Sequence, residues 1–356
     1  MTSQSARRTL SRKATTSAES RPVEPGDRTG TGTKHAAARI EEPSALLAPG
    51  SVTYRVLGDA GTMTYVSMAG MVLGTLMPKV GRGIEEHEPL LNGDIAPAGT
   101  GHSIRRLFDS YELLAGIVLG ATAQDRADAA NALRELHRKI SGTMPDGARY
   151  HAWERETWAY AWTGIFQGVI EAYDFSRGFT CDTERDEALA GMVELGRSFG
   201  VQGIPDTREE FDAYWTDYLC NVAENNPTVE WIMKQMGPET RKPASAPWIP
   251  QPVWRVITFP LRRLLRVGAL ATFPEVLDER LGLHRTRIDA VELALHKGVW
   301  RLVPKALSQT AGPIFFRARQ HIGPKPPWQN RFSRDNLAHR RAELDIVRAE
   351  SDTGSE

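Results

Sequence analysis

His137 is the residue in this sequence best placed to hold a metal or move a proton. Ala130, Leu133, His137 and Ile140 recur at steps of three, four and three, which puts the imidazole on the apolar face of a helix. A neutral imidazole aimed from a rigid helix into dry surroundings is what an axial iron ligand requires. A core histidine satisfied by a hydrogen bond requires the same surroundings, so spacing leaves both roles open. Arg106 and Ser110, four residues apart, share a helix face with Leu113 and Ile117. A guanidinium in such a place needs an anionic partner, either an ordinary carboxylate or an acidic group of a ligand. Two antiparallel helices, one bearing His137 and the other Arg106 with Ser110, would make one wall of a cofactor pocket.

Other candidates carry less chemistry. Glu85, Glu86, His87 and Glu88 resemble a ligand set, but adjacent residues on a helix face different directions, so a solvated loop or helix end accounts for them. A di-iron bundle needs two Glu-x-x-His motifs on separate helices, and the sequence has none. No nucleophile elbow, phosphate-binding loop or dinucleotide fingerprint occurs. Cys181 and Cys220 are the only cysteines, too few for a disulfide framework and without metal-site spacing, which points to a reducing cytoplasm. Lys plus Arg equals Asp plus Glu at 44 each, a balance that argues against a nucleic-acid partner.

The elements that must position these residues are helical. Residues 102–119 set Ile104, Leu107, Tyr111, Leu114 and Val118 in an amphipathic stripe, which Gly120 ends. Thr122, with Asp125 three residues on, opens a second helix expected to run to about Ser141 and to close at Gly142. Residues 154–173 are apolar nearly all round, the mark of a buried central helix. Further helices are expected over 186–199, 208–223, 252–265 and 286–302, with Pro260 kinking or breaking the third of these. No period-two strand is evident. The fold class is therefore all-α, a single large helical domain over 49–324 with a disordered tail at 1–48 and a polar tail at 325–356. No apolar run is long enough to span a bilayer, and Arg7-Arg8 is followed by no signal-peptide core. Segment 248–265 mixes Trp248, Ile249, Val253, Trp254, Val256, Ile257 and Phe259 with Arg255, Arg262 and Arg263. That mixture suits an interfacial helix on a membrane as well as a core-facing helix with surface arginines.

Several of these residues, taken together, resemble the MpaB-type and rubber oxygenase family over about residues 51–322. The run from Leu133 through His137 to Gly142, followed by Pro145-Asp-Gly147 and Tyr150-His-Ala152, is similar to the family's helix-borne histidine and the turn after it. Arg106-x-x-x-Ser110 resembles an arginine followed four residues later by threonine. Gly58-Asp59, Phe199-Gly-Val201, Pro205 and Tyr214 resemble other family positions. The resemblance implies a haem pocket between core helices that binds a b-type haem, with His137 on the iron and Arg106 and Ser110 beside the haem as catalytic and cofactor-binding residues. It also implies a dioxygen-using enzyme acting on an apolar, unsaturated isoprenoid, lipid or polymer; the cysteine usage and segment 248–265 suggest a protein that is cytoplasmic or held at a membrane surface. The alternative is a non-catalytic helical protein that binds a lipid or haem. The chain departs from the family at three places: Ser110 stands for threonine, Asp109 for a lysine of the rubber-cleaving members, and Tyr160 for a histidine.

Overall fold

Helical periodicity becomes eleven α-helices among the described residues of the computed structural model. They are α1 (Val52–Gly58), α2 (Ala60–Val72), α3 (Pro78–His87), α4 (Ala123–Arg138), α5 (Arg155–Ser176), α6 (Asp182–Ser198), α7 (Arg208–Asp217), α8 (Pro227–Lys234), α9 (Gln251–Thr272), α10 (Arg287–Leu302) and α11 (Lys305–Gln309). The described residues are 44–87, 115, 116, 118, 119, 123–234, 236, 237 and 248–315, and all belong to one unit. Ala115, Gly116, Val118 and Leu119, the described part of the expected 102–119 helix, are helical and buried. Arg106, Asp109, Ser110, Gly120 and Thr122 lie outside the described residues, as do residues 1–43 and the C-terminal tail; at the end of the expected N-terminal tail, Ala45–Leu47 form a short 3-10 helix with Leu47 buried in the core.

Short polar side chains start several helices by accepting the first unpaired backbone N–H groups. Ser51 accepts from the Tyr54 N–H, Thr207 from the Glu210 N–H, and Asp59 from the N–H groups of Gly61 and Thr62. Thr286 and Asp289 form a full capping box at the head of α10.

Helix α5 is the axis of the fold, as its apolar circumference requires. Trp158, Trp162, Phe166, Val169, Ile170 and Tyr173 are all buried along it. Small residues let α5 meet the α2 region at backbone distance: a Cβ on Gly164 would fall 2.5 Å from the Gly74 nitrogen, and one on Gly168 would fall 2.4 Å from the Ala69 Cβ. Burying a side chain the size of Phe166 stabilises the fold by about 2 kcal/mol, so this axis carries much of the core.

The all-α reading holds with local corrections. Helix α4 ends at Arg138, short of the expected Ser141, and Gly142 sits instead in a two-stranded antiparallel hairpin. Its strands, β1 (Ser141–Thr143) and β2 (Arg149–His151), are three residues each, too short to show alternation in the sequence. Pro145, Asp146 and Gly147 turn the chain between them, with Gly147 at φ 88° and the Asp146 side chain accepting from the Ala148 N–H.

The expected helix over 208–223 is α7 followed by a π turn, Tyr218–Val222, in which the Ala223 N–H reaches back to the Tyr218 carbonyl. Pro260 does not break its helix: α9 runs unbroken through it for 22 residues. The Arg262 guanidinium donates to the Arg255 carbonyl, just upstream of where the proline withholds its N–H.

Candidate functional site

His137 sits in the last turn of α4, half-buried, with Leu133 packed on the core one turn before it and Ala130 buried two turns before it. The end of this helix is held by residues just beyond it in the chain. The Trp153 indole donates to the Arg134 carbonyl (3.3 Å), His151 Nε2 donates to the Arg138 carbonyl (3.1 Å), and the Ile140 N–H donates to the His137 carbonyl (3.2 Å). These contacts satisfy carbonyls that a helix C-terminus otherwise leaves to water, and they fix where His137 points.

The ring nitrogens of His137 are distinguishable. Nδ1 lies 2.9 Å from the Leu133 carbonyl, which can only accept, so Nδ1 carries the proton. In a neutral imidazole the lone pair is then on Nε2. His151 holds the opposite tautomer, because its Nδ1 accepts from the Trp153 N–H and its Nε2 donates. The His137 ring centroid is 4.4 Å from that of Trp158 on α5, and Trp153 stacks on Trp158, with centroids 6.1 Å apart and planes at 16°. Trp158 Nε1 is a buried donor with no hydrogen-bond partner among the described residues.

This donor set fits an axial imidazole. Histidines that ligate metals ordinarily donate their second ring N–H to a carbonyl or carboxylate, which sets the tautomer and raises the basicity of the ligating nitrogen. His137 has that arrangement, and an orphaned indole N–H beside it can serve a bound acceptor. Among the described residues no group of three or more His, Cys, Asp or Glu could hold a bare metal ion. A porphyrin, by contrast, needs a single protein ligand on one face.

The base of the hairpin is tied to α3. Tyr150 donates its hydroxyl proton to the Glu86 carboxylate, and Arg82 bridges Glu86 (2.6 Å) and Glu85 (2.9 Å). Burial, followed by the adjacent Glu86 carboxylate, pushes the Tyr150 phenol well above its ordinary range. A Cβ on Gly142 would collide with the Glu86 carboxylate and the Tyr150 ring, which explains a glycine within β1. The Glu85–His87 cluster is thus a helix end locked by ion pairs, and His87 Nε2 contacts the Ser141 carbonyl at 3.1 Å.

Two further positions take definite roles. Asp59, fully buried, accepts from Arg177 Nε (3.1 Å) and from the Ser308 hydroxyl (2.6 Å) while capping α2. Arg177 also donates to the carbonyls of Trp300 and Val303 at 2.7 Å each, closing the end of α10. Tyr160 stacks between Tyr214 (4.9 Å) and Tyr218 (5.0 Å) and reaches the Asp217 carboxylate at 3.3 Å. Both arrangements were missed by sequence reasoning. The only signals were the Gly58-Asp59 pair and the recurrence of tyrosine, and neither names its partner.

A catalytic-domain family described as ER-bound oxygenase mpaB/B′ and rubber oxygenase matches residues 54–304. No curated protein and no solved structure matches the chain. The matched span covers α2 to α10 and includes His137, Asp59 and Tyr160, and on that span the chain belongs to the MpaB and rubber oxygenase catalytic-domain family.

Proposed function

We propose that the chain is a haem b-dependent oxygenase that uses dioxygen on an apolar, unsaturated isoprenoid or lipid chain. Family membership supports an oxidoreductase of the oxygenase class. The observation that carries the haem reading is the His137 tautomer: a backbone carbonyl holds the proton on Nδ1, directing the lone pair of the neutral ring to Nε2. In this reading His137 would hold the haem iron, the Trp158 indole packs against its ring and limits its rotation, and the Arg134 and Arg138 carbonyl contacts keep α4 from fraying. Arg106 and Ser110 are assigned places beside the haem by the resemblance alone, with Arg106 pairing a propionate. When bound, the haem supplies the oxygen chemistry, and the protein supplies orientation and a dry site. The catalytic domain spans 49–324, with tails at 1–48 and 325–356. Among the described residues no helix is long and apolar enough to cross a membrane, and the reading places the protein in the cytoplasm or at a membrane surface through 248–265.

The test is the absorption spectrum of the full chain, expressed with iron and a haem precursor, beside His137→Ala. A Soret band in the parent that disappears in the variant is the expected result. A parent with no Soret band, even after added haemin, overturns the reading. Oxygen uptake with unsaturated lipids then separates an oxygenase from a protein that only binds haem.

A further inference from the structure

Helix α10 is amphipathic in the wrong sense for a helix that faces water. Its protein side carries Asp289, buried, and Glu292, both paired to arginines of α9, together with Leu293, His296 and Trp300. Its outer side presents Ile288, Val291, Leu295, Val299 and Leu302 at steps of three, four, four and three, with Val291 68% and Leu302 85% exposed. Helix α9 adds Val253, Val256, Ile257, Phe259 and Leu261, all exposed. Every large apolar side chain that the described residues expose lies between Trp248 and Ile314. Isolated exposed aliphatic residues are ordinary; their concentration along two adjacent helices is not.

Charge separates the candidate occupants. Helix α9 contains Arg255, Arg262, Arg263 and Arg266 and no acidic residue; α10 contains Arg287, Lys297 and Arg301. The two helices thus carry seven cations against two carboxylates, in a chain whose net charge is zero. Both carboxylates face inward, so the exposed charges of α10, Arg287, Lys297 and Arg301, are all positive. A second copy of this face would meet it with like charge. An anionic bilayer surface accepts both halves of the pattern: aliphatic side chains enter the acyl boundary, and arginines and lysines meet lipid phosphates and carboxylates.

We propose that the α9–α10 face is a docking surface for anionic lipid, with the outer side of α10 as its principal apolar contact. The inference rests on the membrane-facing reading of 248–265 and extends it to α10, but it does not depend on haem. Docking there would set the protein against the phase in which an apolar chain dissolves.

The experiment is co-sedimentation of the full chain with phosphatidylcholine vesicles, with and without phosphatidylserine. The parent is expected to bind the anionic vesicles and to lose affinity as salt rises. Lys297→Gln with Arg301→Gln should weaken that binding by about fivefold per cation removed and leave binding to neutral vesicles unchanged. Val291→Asp with Leu295→Asp should abolish binding to both. Absence of vesicle binding by the parent, or unchanged binding by the aspartate variant, overturns the proposal. So does a dimer in light scattering that the aspartate variant dissociates, since the face would then belong to a second copy. A Soret band recorded on each sample keeps the two readings apart. Aspartate variants that lose vesicles but keep the band support lipid docking, and so does vesicle binding by a parent that lacks the band, which counts against the oxygenase alone.

Discussion

The imidazole of His137 lies across the indole of Trp158, ring centroids 4.4 Å apart and planes inclined at 53°. Residues 21 positions apart are brought together by the hairpin that follows α4, and the pairing gives the histidine one orientation. A close, tilted aromatic contact of this kind contributes about 1 kcal/mol beyond the area buried.

Trp158→Phe tests the indole apart from the ring. An aromatic side chain remains under His137, but the orphaned Nε1–H is gone. Haem binding is expected to persist with about fivefold lower affinity, the worth of one hydrogen bond. Titration with haemin, read at the Soret band, measures this. Unchanged affinity would show that the indole N–H meets no atom of the cofactor.

Asp59 and Arg177 form an ion pair with almost no solvent contact, 0% and 2% exposed. Removing one partner strands the other, so Asp59→Ala should cost about 3–5 kcal/mol. The loss combines the α2 cap, the Ser308 contact and the carboxylate that pairs with the guanidinium. Urea denaturation of parent and variant gives the difference. A loss below about 1 kcal/mol, the scale of an exposed pair, would mean the site admits water.

The sequence made the helices legible because burial imposes a period that composition reveals. The apolar circumference of 154–173 predicted a central helix, and α5 is that helix, extended by a few residues at its C-terminal end. His137 was legible as a candidate from its place on an apolar face, but the atom that ranks it, the Leu133 carbonyl on Nδ1, is a matter of rotamer. The hairpin escaped notice because three-residue strands show no alternation. Asp59 with Arg177 escaped because the partners are 118 positions apart and neither residue type is ordinarily buried. The outward face of α10 was hidden for another reason: helical periodicity shows that a helix has an apolar side, and only packing shows which way that side faces.

Asp289 makes stability depend on acid. Hydrogen bonds from Arg266, and then from the Thr286 N–H and hydroxyl and from Arg263, outweigh burial and hold its carboxyl well below the usual range. A depressed carboxylate contributes stability above its unfolded pKa, near 3.9, and loses it as pH falls through the folded value. The parent should therefore keep its full stability at neutral pH and weaken progressively below about pH 4. Asp289→Asn should be less stable than the parent at pH 7 by about 2 kcal/mol, with the gap narrowing in acid. Thermal melts across pH test both statements, and a constant gap down to the lowest pH would assign the loss to packing.

Two glycines on neighbouring helices should respond oppositely to the same change. On α5, a Cβ on Gly164 would lie 2.5 Å from the Gly74 nitrogen and 2.6 Å from the Leu73 carbonyl carbon, backbone atoms that cannot swing aside. Gly164→Ala must push α5 away from the α2 region along the axis of the core, at a cost of about 1–3 kcal/mol. On α10, Gly298 is exposed and has no atom within 4 Å of its Cβ position. Alanine there adds only helix propensity, worth about 1 kcal/mol of stabilisation. Melting temperatures of the two variants should move in opposite directions from the parent. A gain in Gly164→Ala would mean that α5 and the α2 region are not in backbone contact, and the close crossing that sets the position of Trp158 would have to be redrawn.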